Sequence, residues 1–534
     1  MNLETRFLRT AGAVRLASGL GLGLGLLGAC AAPSSDEGDL GSAAEAVCTP
    51  IVIDTARSLM VTDPTALALF PLKRVLDQLV ARAGTNVPQT SLGLYQQWFD
   101  TLNDAAHAQT TGPHCTGTIN GFPSECPRTE GILAATNPFP PAAPGVHDDT
   151  YHPTALVFRV DLTPSNGSTC GEARIVYAKA SSSPVDRNFL IFEGSIPNPS
   201  PSSGLAGCLP IAQFWAGQSA ISDALTRAKN LEAFYFTGLP AQGNKPLVDP
   251  ANYGMGGGAG SYGGGGSGQI RANLFLPFGR TYFPGSPQPP QTQFWQLREF
   301  KTARACTFGG PIGIGPVGPP VAAMQPAVTD GSVTPLPTPT PMPIQQSCQL
   351  EIHDVTTKNN PSQSLFADVP ANATFQSDFI AQITPLATQD LATIGMNIAD
   401  KYNTGESNSD GRNDYVTGFN PTGAFASQIA AKLAVLGRTD LTPTNIVDRT
   451  TTQSCGGCHQ NSNGKNMGGL PDLIWPNSNP FTMIDEQSLL SPALVNVFLP
   501  HRKQVLEGFV NNGSCGGGIV VQPQTATLGG NALN

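Results

Sequence analysis

The sequence predicts an α+β chain of several domains: an N-terminal helical segment, a central antiparallel, sandwich-like β region, and a mostly helical C-terminal region. Three observations carry this. Between residues 48 and 110 apolar residues recur at spacings of three and four; between 111 and 370 the spacing changes to two; beyond 371 the helical spacing returns. A chain of 534 residues is too long for one ordinary core, and 13% charged residues with 59 Gly and 48 Pro point to β structure with many turns and long irregular loops. A net charge of −9 with no basic run excludes nucleic acid and an acidic membrane face as partners.

In chain order, residues 1–29 carry a leader. Arg6, Arg9 and Arg15 form a positive stretch, and Leu16 to Leu27 an apolar one too short to span a bilayer, which needs ~20 apolar residues. It ends in Leu27-Gly28-Ala29-Cys30, which resembles the lipobox of bacterial lipoprotein signals. That resemblance implies cleavage before Cys30 and a lipid on its sulfur. Ala31, where Asp would signal retention, resembles the pattern for sorting to the outer membrane. Residues 30–47 are small and polar, as a tether should be. The expected location is therefore the bacterial cell envelope, lipid-anchored, with no other membrane contact.

Asp63 followed by Pro64 reads as a helix start. Leu72, Val75, Leu76, Leu79 and Val80 predict one helix, and Leu92, Leu94, Tyr95 and Trp98 another. Strands are predicted from Leu156 to Leu162, around Ala173 to Tyr177, and over 188–196, 233–237, 269–276, 293–300 and 349–355. A Gly-rich segment (254–268) and a Pro-rich one (309–346) interrupt them. Helical patterns resume with Phe379, Ile380 and Ile383, then over 391–402, 424–436 and 493–510.

Of eleven Cys, Cys30 and the Cys455/Cys458 pair have other roles, leaving eight. An even remainder in an exported chain predicts a disulfide framework. Spacing suggests Cys115 with Cys126, Cys170 with Cys208, Cys306 with Cys348, and by remainder Cys48 with Cys515.

Cys455-Gly456-Gly457-Cys458-His459 is the C-x-x-C-H pattern of c-type haem attachment. Two sulfurs about one helical turn apart each form a thioether with one porphyrin vinyl group, and the adjacent imidazole reaches the iron. With Gln460 to Gly464 following, residues 440–510 resemble the cytochrome c family. The resemblance implies one covalent haem c, a small helical fold around it, His459 as proximal iron ligand, and a partner that is a redox protein or small electron donor or acceptor. For the distal position the candidates are Met483, then His501, then Met467, or an open site. The competing readings are a Cys455–Cys458 disulfide in a non-enzymatic surface lipoprotein, a zinc site lacking an evident fourth ligand, a thiol oxidoreductase without its βαβ context, and a haem oxygenase or peroxidase. No second C-x-x-C-H, Gly-x-Ser-x-Gly or His-Glu-x-x-His occurs, so dihaem peroxidase and hydrolase chemistry have no support, and no residue is expected to be catalytic in its own right. His147 to His152 could hold a divalent metal, and Glu406 to Gly411 resembles half of a calcium loop; a water-facing loop and a solvated turn explain them as well.

Overall fold

The computed structural model describes residues 50–106, 108, 110, 112–126, 139, 151–179, 187–255, 268–276, 294–308, 346–479 and 482–514. Cys30, Cys48, Cys515, His147 to Thr150 and most of the Gly-rich and Pro-rich segments lie outside the described residues. From Pro50 onward the chain is one compact unit containing both helices and an antiparallel sheet.

Eight strands build that sheet: β1 (Met60–Val61), β4 (Tyr151–Arg159), β5 (Thr169–Lys179), β6 (Asn188–Pro197), β7 (Gln269–Leu276), β8 (Phe294–Phe308), β9 (Gln346–Val355) and β10 (Glu406–Asn408). β2 (Thr118–Ile119) and β3 (Phe122–Pro123) form a separate hairpin. The order is β1-β4-β5-β6-β7-β8, with β9 and β10 sharing the outer edge of the long β8. β1 comes from the N-terminal helical segment and β10 from the C-terminal one, so all three stretches of the sequence contribute to one sheet.

Register decides what each face does. Leu156, Ile175, Phe192, Ile270 and Phe300 lie side by side across β4 to β8, all nearly fully buried. One residue along, the other face carries Arg174 opposite Glu193, because side chains alternate along a strand. The apolar face is covered by helices Leu72–Arg82, Ser91–Asp100, Leu209–Gln218 and Ala224–Phe236. Trp98 stands edge-on to both Phe192 and Phe300, and Trp215 stacks on Phe158 at 4.9 Å. A sandwich was the expectation; a single sheet backed by helices is what forms, since two of those helices come from the stretch read as all β.

Three elements differ from the sequence reading. Residues 233–237, rich in aromatics, close helix Ala224–Phe236: Asp223 caps it by accepting from Thr226 N–H, and Ala228, Leu231 and Tyr235 form its buried stripe, outweighing strand propensity. The helix expected over 391–402 is only two short 3₁₀ turns, Leu391–Thr393 and Asp400–Tyr402. Between them Ile394, Met396 and Ile398 are buried at a spacing of two, which suits extended chain. The expected strand Leu156 to Leu162 ends at Arg159 and turns through Val160–Leu162.

The C-terminal region has its own apolar core, in which Phe366, Phe379, Phe425, Ile446, Met467 and Trp475 meet. The last helix, Leu499–Ser514, instead buries Leu506, Phe509 and Val510 in the main core beside Leu209–Gln218. The residues around the C-x-x-C-H turn thus lie between two cores. Among the described residues three disulfides are present, Cys115–Cys126, Cys170–Cys208 and Cys306–Cys348, as the spacing suggested; the fourth suggested pair, Cys48 with Cys515, lies outside them.

Trp98 is, with Trp215, one of the two largest fully buried side chains among the described residues, and it bridges β6 and β8. Trp98→Ala is expected to lower the unfolding free energy by about 3–5 kcal/mol, measured by denaturant titration with an unchanged slope.

Candidate functional site

The helix leading to the site, Pro443–Thr451, starts from a reciprocal cap: Thr442 Oγ1 accepts from Asn445 N–H at 3.2 Å and Asn445 Oδ1 accepts from Thr442 N–H at 3.0 Å. Past its end, Ser454 restarts the chain, its hydroxyl accepting from Gly457 N–H and its carbonyl from Cys458 N–H. Residues Gly457–Asn461 form a wide turn closed by Ser462 N–H on the Gly457 carbonyl, 3.0 Å away.

Both glycines of the turn are sterically required. A Cβ on Gly456 would lie 2.2 Å from the Asn408 carbonyl oxygen of β10, and one on Gly457 1.7 Å from that of Thr451. Gly456 N–H also donates to Ser407 Oγ at 2.8 Å. The turn is therefore wedged between the sheet edge and its own leading helix. On its far side Trp475 Nε1 donates to the Cys458 carbonyl at 3.1 Å, and Ser478 Oγ to that of His459.

Cys455 and Cys458 are free thiols, half-buried, and they line a cavity of about 340 Å³ together with His459. Met483 and His501 line the same cavity. Met467, in contrast, is fully buried in the C-terminal core. The loop bearing Met483 is clamped to the sheet: His152 Nε2 meets the Glu486 carbonyl at 2.9 Å, Arg187 pairs with Glu486, and Ser488 Oγ donates to the Thr154 carbonyl. Ser491 Oγ donates to the Met483 sulfur at 3.4 Å. His501 stands at the start of the last helix, just after a second wide turn, Leu494–Phe498. Pro500 there has no N–H to donate, which accounts for the widened turn. His501 Nδ1 lies 3.7 Å from Asp390.

The wall facing the turn is the second face of the sheet, and it is charged. Arg174 pairs at 2.7 Å with both Glu172 and Glu193, Arg271 pairs with Glu193 and at 2.8 Å with Glu299, and Arg159 grips Asp161. Glu193 is fully buried. Burial alone would raise the Glu193 and Asp161 carboxyls, but the neighbouring guanidiniums hold both below the usual carboxylate range. That stabilisation is present at neutral pH and is lost as the pH falls through the depressed values. Arg271 is held above its ordinary value by Glu193 and Glu299 despite burial. Burial, and then the like charge of Arg159, push Arg502 down to about 9.

This charged wall was missed from sequence. Its signal is present in hindsight as Glu172 and Arg174 on one strand and Glu193 and Arg271 on the next two, all on the face opposite the apolar row.

Of the weaker candidates, His152 is engaged with Glu486 as described, and its former neighbours His147 to Asp149 lie outside the described residues. The stretch from Glu406 is not a solvated turn: Glu406–Asn408 is a buried sheet strand, Glu406 accepts from Ser124 Oγ, and Asp410 pairs with Arg412 at 2.8 Å. Among the described residues no group of three or more His, Cys, Asp or Glu is arranged to hold a metal ion, and no helix is long and apolar enough to cross a membrane. The chain matches no protein-family model, and no curated protein or solved structure matches it significantly.

Burial pushes the Cys455 thiol up to about 11 and, with Cys455 beside it, the Cys458 thiol up to about 12. The neutral thiol therefore dominates at pH 8, and only the thiolate is nucleophilic. In protein made without attached haem, iodoacetamide labelling of these two sulfurs should be slow at pH 8 and rise roughly tenfold per unit up to pH 10. Rapid labelling at pH 7, read by mass spectrometry, would contradict that environment.

Proposed function

We propose that this chain is an exported bacterial lipoprotein, anchored through Cys30, that holds one covalent c-type haem on Cys455 and Cys458 and carries electrons. The observation that supports this best is the meeting of two unbonded sulfurs and the His459 ring on one wall of a single cavity. The donor set fits the group: two thiols one turn apart, an imidazole next to the second, and a lining that includes Phe189, Ile191, Trp475 and Phe498 for an apolar ring system.

In this reading Cys455 and Cys458 hold the cofactor and His459 is the proximal iron ligand, with Met483 the first candidate and His501 the second for the opposite side. When bound, the haem supplies a one-electron couple at its iron. The chain's own part is positional. Gly456 and Gly457 let the turn approach the sheet, Trp475 and Ser478 fix the carbonyls of Cys458 and His459, and the loop clamps at Glu486 and Ser488 set Met483. The two cores flank the cavity. The electron partner is a redox protein or a small donor or acceptor in the cell envelope.

A reduced alkaline pyridine spectrum of the purified protein is the direct test. The expected result is the band of a haem with two thioethers, shifted to that of one thioether in Cys455→Ser or Cys458→Ser and absent in the double variant. Colourless protein with Cys455 bonded to Cys458 would leave only a disulfide-braced surface lipoprotein. Met483→Ala is expected to lower the midpoint potential, since a distal thioether raises it; an unchanged potential would assign that side to His501 or leave it open, and uptake of carbon monoxide would then favour oxygenase or peroxidase chemistry.

A further inference from the structure

Among the described residues, the cations on the cavity wall are not all held by hydrogen bonds. Arg159, Arg174 and Arg271 are engaged by Asp161, Glu172, Glu193 and Glu299. Two further cations line the same cavity, Arg502 from the last helix and Lys358 from the loop after β9. Both oxygens of Asp161 already accept from Arg159, at 2.7–3.1 Å, so Arg502 reaches it only at 3.8 Å. Among the described residues the Arg502 guanidinium makes no hydrogen bond, although it is nine-tenths buried. Among the same residues Lys358 Nζ has no carboxylate within ion-pair distance. Arg159 acts on Arg502 as a like charge against the attraction of Asp161, while Glu172 and Glu299 attract Lys358 and Arg271 opposes them.

A buried guanidinium whose N–H groups find no acceptor, and whose nearest carboxylate is already gripped by another arginine, is strongly unfavourable, and interiors rarely keep one unless a ligand supplies the acceptors. Both cations line the cavity beside the ion-pair row, Arg502 with Asp161 as its nearest carboxylate at 3.8 Å and Lys358 under the attraction of Glu172 and Glu299. The remainder of the lining is largely apolar. Such a cavity suits a ligand with an apolar body and carboxylate groups at its edge.

We infer that Arg502 and Lys358 form a carboxylate-binding subsite of this cavity, filled either by the carboxylates of the porphyrin itself or by those of a small dicarboxylate substrate. The first source rests on the haem reading above; the second does not. Both use charge-assisted hydrogen bonds from guanidinium and ammonium to carboxylate.

The test uses the full chain expressed with its leader in a haem-attaching host, with Arg502→Gln, Lys358→Gln and the charge-keeping Arg502→Lys, each checked for folding by circular dichroism. Haem content is read from the pyridine spectrum, the porphyrin carboxylate modes by resonance Raman, and carboxylate binding by calorimetric titration with succinate. If the porphyrin fills the subsite, loaded wild type takes up no succinate, while the Gln variants keep their haem but shift the carboxylate modes and Arg502→Lys restores them. If a substrate fills it, loaded wild type binds succinate and each Gln variant weakens binding at least tenfold. Colourless protein whose succinate binding depends on Arg502 removes the haem and keeps the subsite. The inference is overturned if the Gln variants match wild type in both Raman modes and titration, or if colourless wild type binds no succinate. Should Arg502→Gln fail to fold, Lys358→Gln carries the same readings.

Discussion

A sheet with one apolar face and one charged face must bury both to sit inside a protein, and the charged face sets the harder condition. Removing one partner of a buried ion pair typically costs 3–5 kcal/mol, because the other charge stays behind unpaired. The row through Arg174, Glu193 and Arg271 therefore needs every member in register, which the antiparallel ladder provides by placing Arg174 directly opposite Glu193 and Arg271 opposite Glu299. It also needs a cover that does not strand those charges. Helices serve for the apolar side. The C-terminal third covers the charged side and leaves a cavity rather than dry contact against it.

That cover is rigid for reasons of its own. Arg449 is fully buried and has no carboxylate partner among its contacts; it donates instead to the carbonyls of Met467, Gly468, Leu386 and Thr388. Burial, then nearby Arg438, lowers it to about 10, still charged at neutral pH. One guanidinium thus ties the leading helix to two loops, including the one that carries Trp475 back over the turn. The position of Cys458 follows from this chain of contacts. Sulfurs meant for a fixed site need such a frame more than they need a particular fold around them.

Much of this was legible in the residues. Spacings of three and four gave Leu72–Arg82 and Ala424–Val435 nearly to the residue, and the alternation over 269–276 matched its strand. The even count predicted a disulfide framework, and the three pairs found among the described residues are ones that spacing suggested. What failed did so where local preference met tertiary demand. Ala233 to Thr237 has the composition of a strand, but a helix already capped at Asp223 runs through it. Residues 391–402 carry apolar residues dense enough to satisfy either period, and the C-terminal core selected the extended one. The charged wall was invisible because only pairing across strands brings Glu172, Arg174, Glu193 and Arg271 together, and no window of the sequence contains that register. The two glycines of the motif showed as mere spacers; their necessity lies in how closely Asn408 and Thr451 approach.

The disulfide at Cys170 links these layers. It lies two residues before Glu172 on β5 and joins Cys208, at the start of helix Leu209–Gln218. That helix packs against Leu499–Ser514, which presents His501 and Arg502 to the cavity. Closing this 38-residue separation constrains the charged wall and the element facing it at once, from the side of the sheet remote from the C-x-x-C-H turn. Disulfides of this kind persist in oxidising compartments, and haem is attached to thiols only outside the cytoplasm under the proposed reading. The chain then has to sort its thiols: six described cysteines form three disulfides, while Cys455 and Cys458 stay unpaired in the cavity. Their burial serves that sorting, because a thiol held neutral is a poor nucleophile toward a neighbouring disulfide. Under the same reading, the desolvation that disfavours the thiolate would keep the two sulfurs available for the haem.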